Sequence, residues 1–474
     1  MSQSVPPEEP DALTDPVVAE ARAESSTPAS TVRVDDAIEA DQDAASAAVA
    51  SPSTPAPKGS LWRDRNFLTL WGGQTFAQFG AQITELALPV LAVLVLNANE
   101  FEIGVINAAG FAAFLVIGLP AGAWIDRMRK RHVMIAADLV RALALATVPL
   151  LWWAGVLDVW HLVVIALVMS VATVFFDVSY QSIVPSLVRP TQIAEANGKL
   201  ESTHQLANIA GPGIAGWLVG ILTAPIAVLA TVFTYLASFV ALAFTRDDEI
   251  VAPKHEHEPL LQSIREGVGW VFGNPYLRRI VGTTGVSNFF STVTFTMLPI
   301  FLLRDLGLSP ASMGIIFSLG AVGGLLGAMA TPHIVRWIGE ARSIPISAIA
   351  FSVAGLFLPV AALVPEFAFV LLVVQSAVSM FTVLLYNIVQ VSFRQRITPK
   401  RLLGRMNASI RFFVWGVMPI AALLAGALGT WLGAVPTMWI GAIGGLVSAL
   451  FVVTGPFWAM GELPDAPTDA EPTP

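Results

Sequence analysis

Glu85 is an acidic residue set inside an apolar stretch, and two amides precede it at helical spacing. Gln82 lies in the same segment, FGAQITELALP, and Gln78 comes just before it, so the three side chains share roughly one face of a helix. A carboxyl group in such a place can bind a proton or a cationic substrate, or it can be a protonated group that bonds to a neighbouring helix. These three residues are candidates for proton coupling or substrate contact.

Further polar residues lie inside other apolar stretches. Asp138 and Arg141 are three residues apart, so on a helix they can face each other as a structural, internally neutralised pair or serve function. Asp177 lies where it can pair with loop cations or act in coupling. Asn288 and Asn387 are further candidates for substrate contact in the second half of the chain.

Several kinds of chemistry are not expected. The chain has no cysteines, which excludes disulfides and thiolate sites. It shows no phosphate-binding Walker sequence, so ATP is not the energy source within this chain. With no nucleophile site, metal cluster or paired carboxylates visible, we expect neither an enzyme nor a cofactor or metal.

The composition is that of a polytopic membrane protein. Only 13% of the 474 residues are charged and 55% are hydrophobic, whereas soluble domains carry about 25% charged residues. Residues 1–60 hold the whole net charge of -8 and are predicted to form a disordered acidic cytoplasmic tail. Residues 461–474 are predicted to be a disordered C-terminal tail. The remainder is balanced in charge, so no nucleic-acid partner is expected.

Apolar stretches of about 20 residues, the length that crosses a bilayer as a helix, predict an all-α protein with twelve transmembrane spans. The predicted spans are 67–96, 103–125, 132–155, 159–182, 200–222, 225–245, 280–303, 311–335, 343–364, 367–391, 408–431 and 435–459.

Basic residues collect in alternate loops. The segment GAWIDRMRKR (122–131) carries four of them, and strict alternation of the spans puts nearly all other loop bases on the same side, leaving Arg304 opposite. Because cationic loops stay in the cytoplasm, both termini are predicted to be cytoplasmic and the protein to lie in the cytoplasmic membrane.

The two halves of the chain look like copies at an offset of 210 residues. Leu88-Pro89 recurs as Leu298-Pro299, and Gly216 recurs as Gly426. The expected organisation is a six-helix bundle over 61–245, a cytoplasmic linker with an amphipathic helix over 246–279, and a second six-helix bundle over 280–460.

The segment 122–131 resembles the loop signature of the major facilitator superfamily, and the resemblance covers about residues 61–460. The signature residues fall at Gly122, Asp126, Arg127, Lys130 and Arg131, while Arg129 stands where a second glycine is usual. FFDVSYQSIVPSLV (175–188), ANGKLEST (196–203) and residues 386–416 are similar to the macrolide-efflux and siderophore-export branch.

The segment AGPGIAG (210–216) resembles a signature of proton-coupled drug antiporters, with Gly211, Pro212 and Gly216 as its packing residues. The basic signature that those antiporters carry in their fourth helix is absent here. The resemblance implies close packing that seals the helix against leak, and plain helix packing is the alternative role of these residues.

The resemblance also implies where the halves meet on the cytoplasmic side. At the offset of 210, Arg336 stands at the position equivalent to Asp126, and Arg411 stands at the position equivalent to Glu201. The charges at these positions are therefore opposite in the two halves. We therefore expect a cytoplasmic gate in which Asp126 pairs with Arg411 and Glu201 with Arg336. Pairing of Glu201 and Arg411 within their own halves is the alternative.

Taken together, the resemblance implies a monomeric antiporter that exports a drug-like, macrolide-like or siderophore-like compound by alternating access, with protons as coupling ion and a role in antibiotic resistance. An uptake symporter of the same fold is one alternative, and transport direction separates the two. A transporter-like membrane sensor or assembly partner is another, which would show no flux and would depend on residues 1–58.

Overall fold

The computed structural model describes residues 61–125, 128–246, 260–399 and 402–460 together with Leu463. Every regular element in these ranges is a helix, which confirms the predicted all-α fold. Both tails, most of the linker before Leu260, and the loop residues Asp126 and Arg127 lie outside the described residues.

Eleven helices in the described residues are long and apolar enough to cross a membrane, and the broken helix over 100–125 is counted here as the twelfth predicted span, with the spans numbered in chain order. Two spans are interrupted and ten are continuous helices, some ending in a π or 3₁₀ turn. The bounds are Arg65–Val95, Glu100–Val116 with Gly118–Ile125, Lys130–Trp153, Val159–Leu187, Ile193–Leu222, Ala224–Phe244, Pro275–Asp305, Pro310–Ile338, Glu340–Leu363, Pro365–Ile397, Leu403–Trp415 with Met418–Leu432, and Ala434–Val453.

Span 2 differs from the single helix that was predicted. Its helix stops at Val116, Ile117 has φ -116° and ψ -5°, and a second helix runs from Gly118 to Ile125. Neither piece alone is long enough to cross a bilayer. The break falls just before the segment 122–131, so it lies where span 2 meets the basic loop.

Span 1 begins on the side that carries the basic loops, which we call the basic side, and ends on the opposite side, called the far side. The linker helix Leu260–Gly273 lies on the basic side. Its Glu266 forms an ion pair with Arg405 at the start of span 11, and the Trp270 ring nitrogen donates to the Thr398 hydroxyl at 3.4 Å. The linker helix is therefore attached to the second half of the molecule.

Two glycine contacts join the halves on the far side. A Cβ atom on Gly104 in span 2 would lie 2.7 Å from the Cα atom of Gly426 in span 11. In the other contact, a Cβ atom on Gly216 in span 5 would lie 2.5 Å from the carbonyl oxygen of Pro310 in span 8, and Gly314 of span 8 packs back on span 5. Gly104 and Gly314 are 210 residues apart, as are Gly216 and Gly426. The two contacts are thus copies related by the repeat.

Glycines also set the packing within the second half. Span 8 presents Gly320, Gly323 and Gly327 to span 10, and a Cβ atom on Gly323 would lie 2.6 Å from the Cα atom of Ala377. Small residues at this spacing let two membrane helices approach to backbone contact. Gly320, Gly323 and Gly327 are therefore packing residues.

Replacing Gly323 tests this packing. Gly323→Ala must separate two backbones in contact, and we expect it to lower the unfolding free energy by about 1–3 kcal/mol. The neighbouring Gly324 is the matched control, because its nearest neighbour would be 3.4 Å from an added Cβ atom. Gly324→Ala should raise stability by about 0.5–1 kcal/mol, since alanine favours a helix. Thermal unfolding of the purified protein checks both, and equal melting temperatures would contradict the account.

Candidate functional site

A cavity of about 600 Å³ lies between the two halves. Spans 1 and 5 form its first-half wall, and spans 7, 8, 9 and 10 form the second-half wall. Among the described lining residues span 4 contributes none, whereas span 8 contributes several. The cavity reaches from Leu302 near the far side to Glu201 near the basic side.

The first-half wall is polar. Glu85 and Gln82 come from span 1, and Asn208 and Gln205 come from span 5. The Gln82 amide donates to the Asn208 side-chain oxygen at 2.9 Å, which ties the two spans together across the wall. Gly211 makes this contact possible, because a Cβ atom there would lie 2.6 Å from the Cβ atom of Gln82.

The Glu85 side chain is exposed to the cavity. No described residue donates a hydrogen bond to its carboxylate or forms an ion pair with it. Gln78, about two turns closer to the basic side than Glu85, lies instead beside His204 of span 5, with 3.1 Å between its amide oxygen and the histidine Nδ1 atom. Glu85 is therefore available to a ligand in a way that Gln78 is not.

The second-half wall is mainly apolar. Phe295, which stands at the repeat position of Glu85, lines the cavity together with Phe317 and Met380. Gln375 and Ser379 add polar groups, and they are bonded to each other at 2.9 Å. A ligand in this cavity would meet the Glu85 carboxylate on one side, with Glu201 nearer the basic side, and aromatic and thioether surface on the other.

Glu201 and Arg336, one of the two predicted gate pairs, form no ion pair with each other among the described residues, and Asp126 of the other pair lies outside them. Glu201 accepts a hydrogen bond from Gln205 of its own helix at 2.7 Å. Arg336 donates to the carbonyl oxygen of Pro332, also in its own helix, at 3.2 Å. Arg411 is exposed, and its guanidinium carbon lies 5.5 Å from the centre of the Trp415 ring. The basic side of the cavity is thus not latched by Glu201 and Arg336.

The remaining residues of the basic-loop segment frame the start of span 3. Gly122 belongs to the short second helix of span 2, and Lys130 is the first residue of span 3. The Arg131 guanidinium donates to the carbonyl oxygens of Leu242, at 2.8 Å, and Ala243 in span 6. This arginine ties the loop to the first half.

The Asp138 and Arg141 pair lies inside the first half and away from the cavity. The closest nitrogen and oxygen are 3.5 Å apart, and both side chains are buried. The Arg141 guanidinium carbon also lies 4.3 Å from the centre of the Phe176 ring. Asp177 follows Phe176 and lies within the electrostatic reach of Arg141 and Arg411. It does not line the cavity.

Asn288 and Asn387 lie in a separate, smaller cavity of about 80 Å³ within the second half. The Asn288 amide donates to the carbonyl oxygen of Val414 at 3.1 Å. The Asn387 side-chain oxygen accepts from the Gln390 amide at 3.3 Å. Both asparagines therefore bond to residues of their own half, and neither lines the cavity that contains Glu85.

The sequence interpretation missed the contribution of span 8 to the cavity. Phe317, Ala321 and Leu325 recur at four-residue steps and line it together. They alternate along the helix with the packing glycines Gly320, Gly323 and Gly327. Regular spacing of bulky side chains on a glycine-rich membrane helix was the available signal.

Comparison with known proteins agrees with this architecture. The family model of the Major Facilitator Superfamily matches residues 70–419. The multidrug efflux pump Tap of Mycolicibacterium fortuitum is 27% identical over 368 residues, which are 74% of this chain and 85% of the pump. Macrolide efflux protein A of Streptococcus pyogenes is 22% identical over 361 residues, 76% of this chain and 88% of that protein.

Solved transporters share the fold. The crystal structure of the nucleoside transporter NupG superposes with a TM-score of 0.66 at 14% identity, covering 82% of this chain and 99% of that one. An inward-facing bacterial homologue of the iron transporter ferroportin gives 0.63 at 16% identity, covering 82% and 98%. With a family model that spans most of the sequence and a matching fold, the chain belongs to the Major Facilitator Superfamily.

Proposed function

We propose that this protein is a proton-coupled secondary exporter of bulky, partly apolar compounds, drug-like or similar to macrolides and siderophores, and that it works by alternating access. The observation that carries the proposal is the cavity between the halves, in which the Glu85 carboxylate, unpaired among the described residues, faces the apolar wall of the second half. The efflux functions named for the Tap pump and for macrolide efflux protein A support the direction of transport.

The shape and lining of the cavity support the cargo class. Its volume of about 600 Å³ falls in the range of about 300–1,000 Å³ that holds drug-sized ligands. Phe295, Phe317 and Met380 offer large apolar contacts with few fixed hydrogen bonds. Such a wall suits compounds with varied apolar surface better than it suits a sugar or a small ion.

The distribution of bases supports the orientation. With the basic side in the cytoplasm, both termini are cytoplasmic and the protein lies in the cytoplasmic membrane. The conformation with the glycine contacts closed on the far side and Glu201 and Arg336 apart is then open to the cytoplasm. We take the monomer to be the transporting unit, because one chain contributes both cavity walls.

Glu85 can couple export to proton entry. An unpaired carboxylate facing apolar walls is costly unless a proton or a cationic group of the cargo neutralises it. If the conformational change requires Glu85 to be neutralised, cargo is carried out of the cell in one half of the cycle and a proton is carried in during the other half. The exchange needs no group besides the carboxylate and the two conformations.

The proposed cytoplasmic gate closes the basic side of the cavity. In the outward-facing state, Glu201 of span 5 approaches Arg336 of span 8, and Asp126 approaches Arg411 by the same movement in the repeat-related contact. Both pairs must separate before cargo enters from the cytoplasm. Exposed pairs of this kind contribute little energy each, so they bias the conformational equilibrium without locking it.

Glu85→Gln tests the coupling. The amide keeps the size of the side chain but cannot exchange a proton, so we expect substrate-induced proton flux in reconstituted vesicles to fall about tenfold or more, at least about 1.4 kcal/mol. Binding of an uncharged cargo should remain. A panel of hydrophobic antibiotics and siderophores supplies the cargo.

The control for Glu85→Gln is Glu195→Gln, which also removes one carboxylate. Glu195 is exposed at the start of span 5, where it pairs with Lys199 at 3.4 Å. Proton flux should persist in this variant. Equal coupling in the Glu85→Gln protein and the wild type would show that Glu85 is a scaffold residue, and cargo accumulation in the opposite direction would indicate an uptake symporter.

Charge exchange tests the gate. Glu201→Arg places two cations at the contact with Arg336, and we expect transport to slow about fivefold, corresponding to about 1 kcal/mol. Adding Arg336→Glu should restore most of the rate because the pair is remade with opposite polarity. If the double variant is as slow as Glu201→Arg while both proteins purify as single species and bind cargo, the pair is not a gate.

A further inference from the structure

A second large cavity, of about 770 Å³, opens on the outer surface of the first half, between spans 3 and 4. Span 3 contributes Ala136 and Val140 to it, and span 4 contributes Leu167, Val171 and Phe175. We call it the outer groove. Asp138 and Arg141 lie on the opposite face of span 3, bonded to each other, so they take no part in it.

The outer groove has the depth of one membrane leaflet. It begins at Arg129, immediately before span 3, and ends at Val140. Eleven residues of helix rise about 16 Å, close to half of the roughly 30 Å of hydrocarbon in a bilayer. Val140, Leu167 and Val171 are each more than one third exposed, so the groove faces the lipid along this length.

Among the described residues that line the outer groove, basic side chains lie only at its basic-side end. Arg129 and His132 line that end, three residues apart and both exposed. No described residue forms a hydrogen bond or an ion pair with either side chain. No acidic residue is among those that line the groove. Arg131, which lies between them in sequence, is bonded to span 6 instead.

We propose that the outer groove is a binding site for an anionic phospholipid. One acyl chain lies along the apolar groove over Ala136, and the headgroup phosphate accepts hydrogen bonds from the Arg129 guanidinium and the His132 ring. A basic pocket between spans at the membrane surface recognises anionic headgroups, and a charge-assisted bond to a guanidinium gives selectivity for phosphate. The site is independent of the cargo cavity and of the direction of transport.

The test is native mass spectrometry of the full-length protein, titrated in detergent with phosphatidylglycerol or with phosphatidylcholine. We expect the wild type to retain one phosphatidylglycerol in preference to phosphatidylcholine. In the double variant Arg129→Gln with His132→Gln, the affinity for phosphatidylglycerol should fall about tenfold, because the headgroup loses its charged and hydrogen-bonding partners.

Arg278→Gln with His333→Gln is the matched control. It removes the same two residue types from exposed positions on the basic side, outside the groove, and should keep the wild-type affinity. Ala136→Phe fills the groove without changing its charge and should also lose the lipid. Size-exclusion profiles show that each variant is folded.

Three results would overturn the proposal. Unchanged phosphatidylglycerol binding by the Arg129 and His132 variant would show that these two side chains do not recognise the headgroup. An equal loss in the control would show a general attraction of the basic surface. Equal binding of phosphatidylcholine by the wild type would show an apolar groove without headgroup selection.

Discussion

Close backbone contact at the far side is the constraint on which the rest of this structure depends. Between membrane helices no hydrophobic force favours contact over lipid, so association requires close van der Waals packing of small residues. Gly104 against Gly426, and Gly216 with Gly314, supply it at two places related by the repeat. These contacts hold the halves together at one end and leave the cavity extending towards the basic side.

The two halves are symmetric at the far-side glycine contacts but differ in the residues that line the cavity. The same offset that pairs the far-side glycines turns Glu85 into Phe295, and these two residues line opposite walls. A symmetric closure allows the two halves to move against each other in equivalent ways. The asymmetric cavity has carboxylates on the wall of the first half only and an apolar wall in the second half, which is the chemical difference on which the proposed coupling depends.

Features set by composition along the chain could be predicted from the sequence. Hydropathy predicted the spans, the repeat offset related Gly216 to Gly426, and Gly211 was identified as a packing residue. What depends on rotation about a helix axis could not be predicted, because a helix that is apolar on all faces carries no periodic signal. The sequence therefore did not show that Asn288 and Asn387 bond to residues of their own half, away from the cavity that contains Glu85. The break at Ile117 stands directly before Gly118 and three residues before Pro120, which has no N–H to donate to the carbonyl of Val116, so a break was within reach of the sequence.

In the proposed mechanism, the far side and the basic side of the cavity open in alternation. The chain has no cysteines, so pairs of introduced cysteines can carry spin labels for distance measurement. Ile221 with Ile315 spans the far-side contact between spans 5 and 8, and Ser202 with His333 spans its basic side; all four residues are exposed. Across a range of pH, with and without cargo, the far-side distance should lengthen as the basic-side distance shortens. A far-side distance that stays constant while the labelled protein transports cargo would contradict the account.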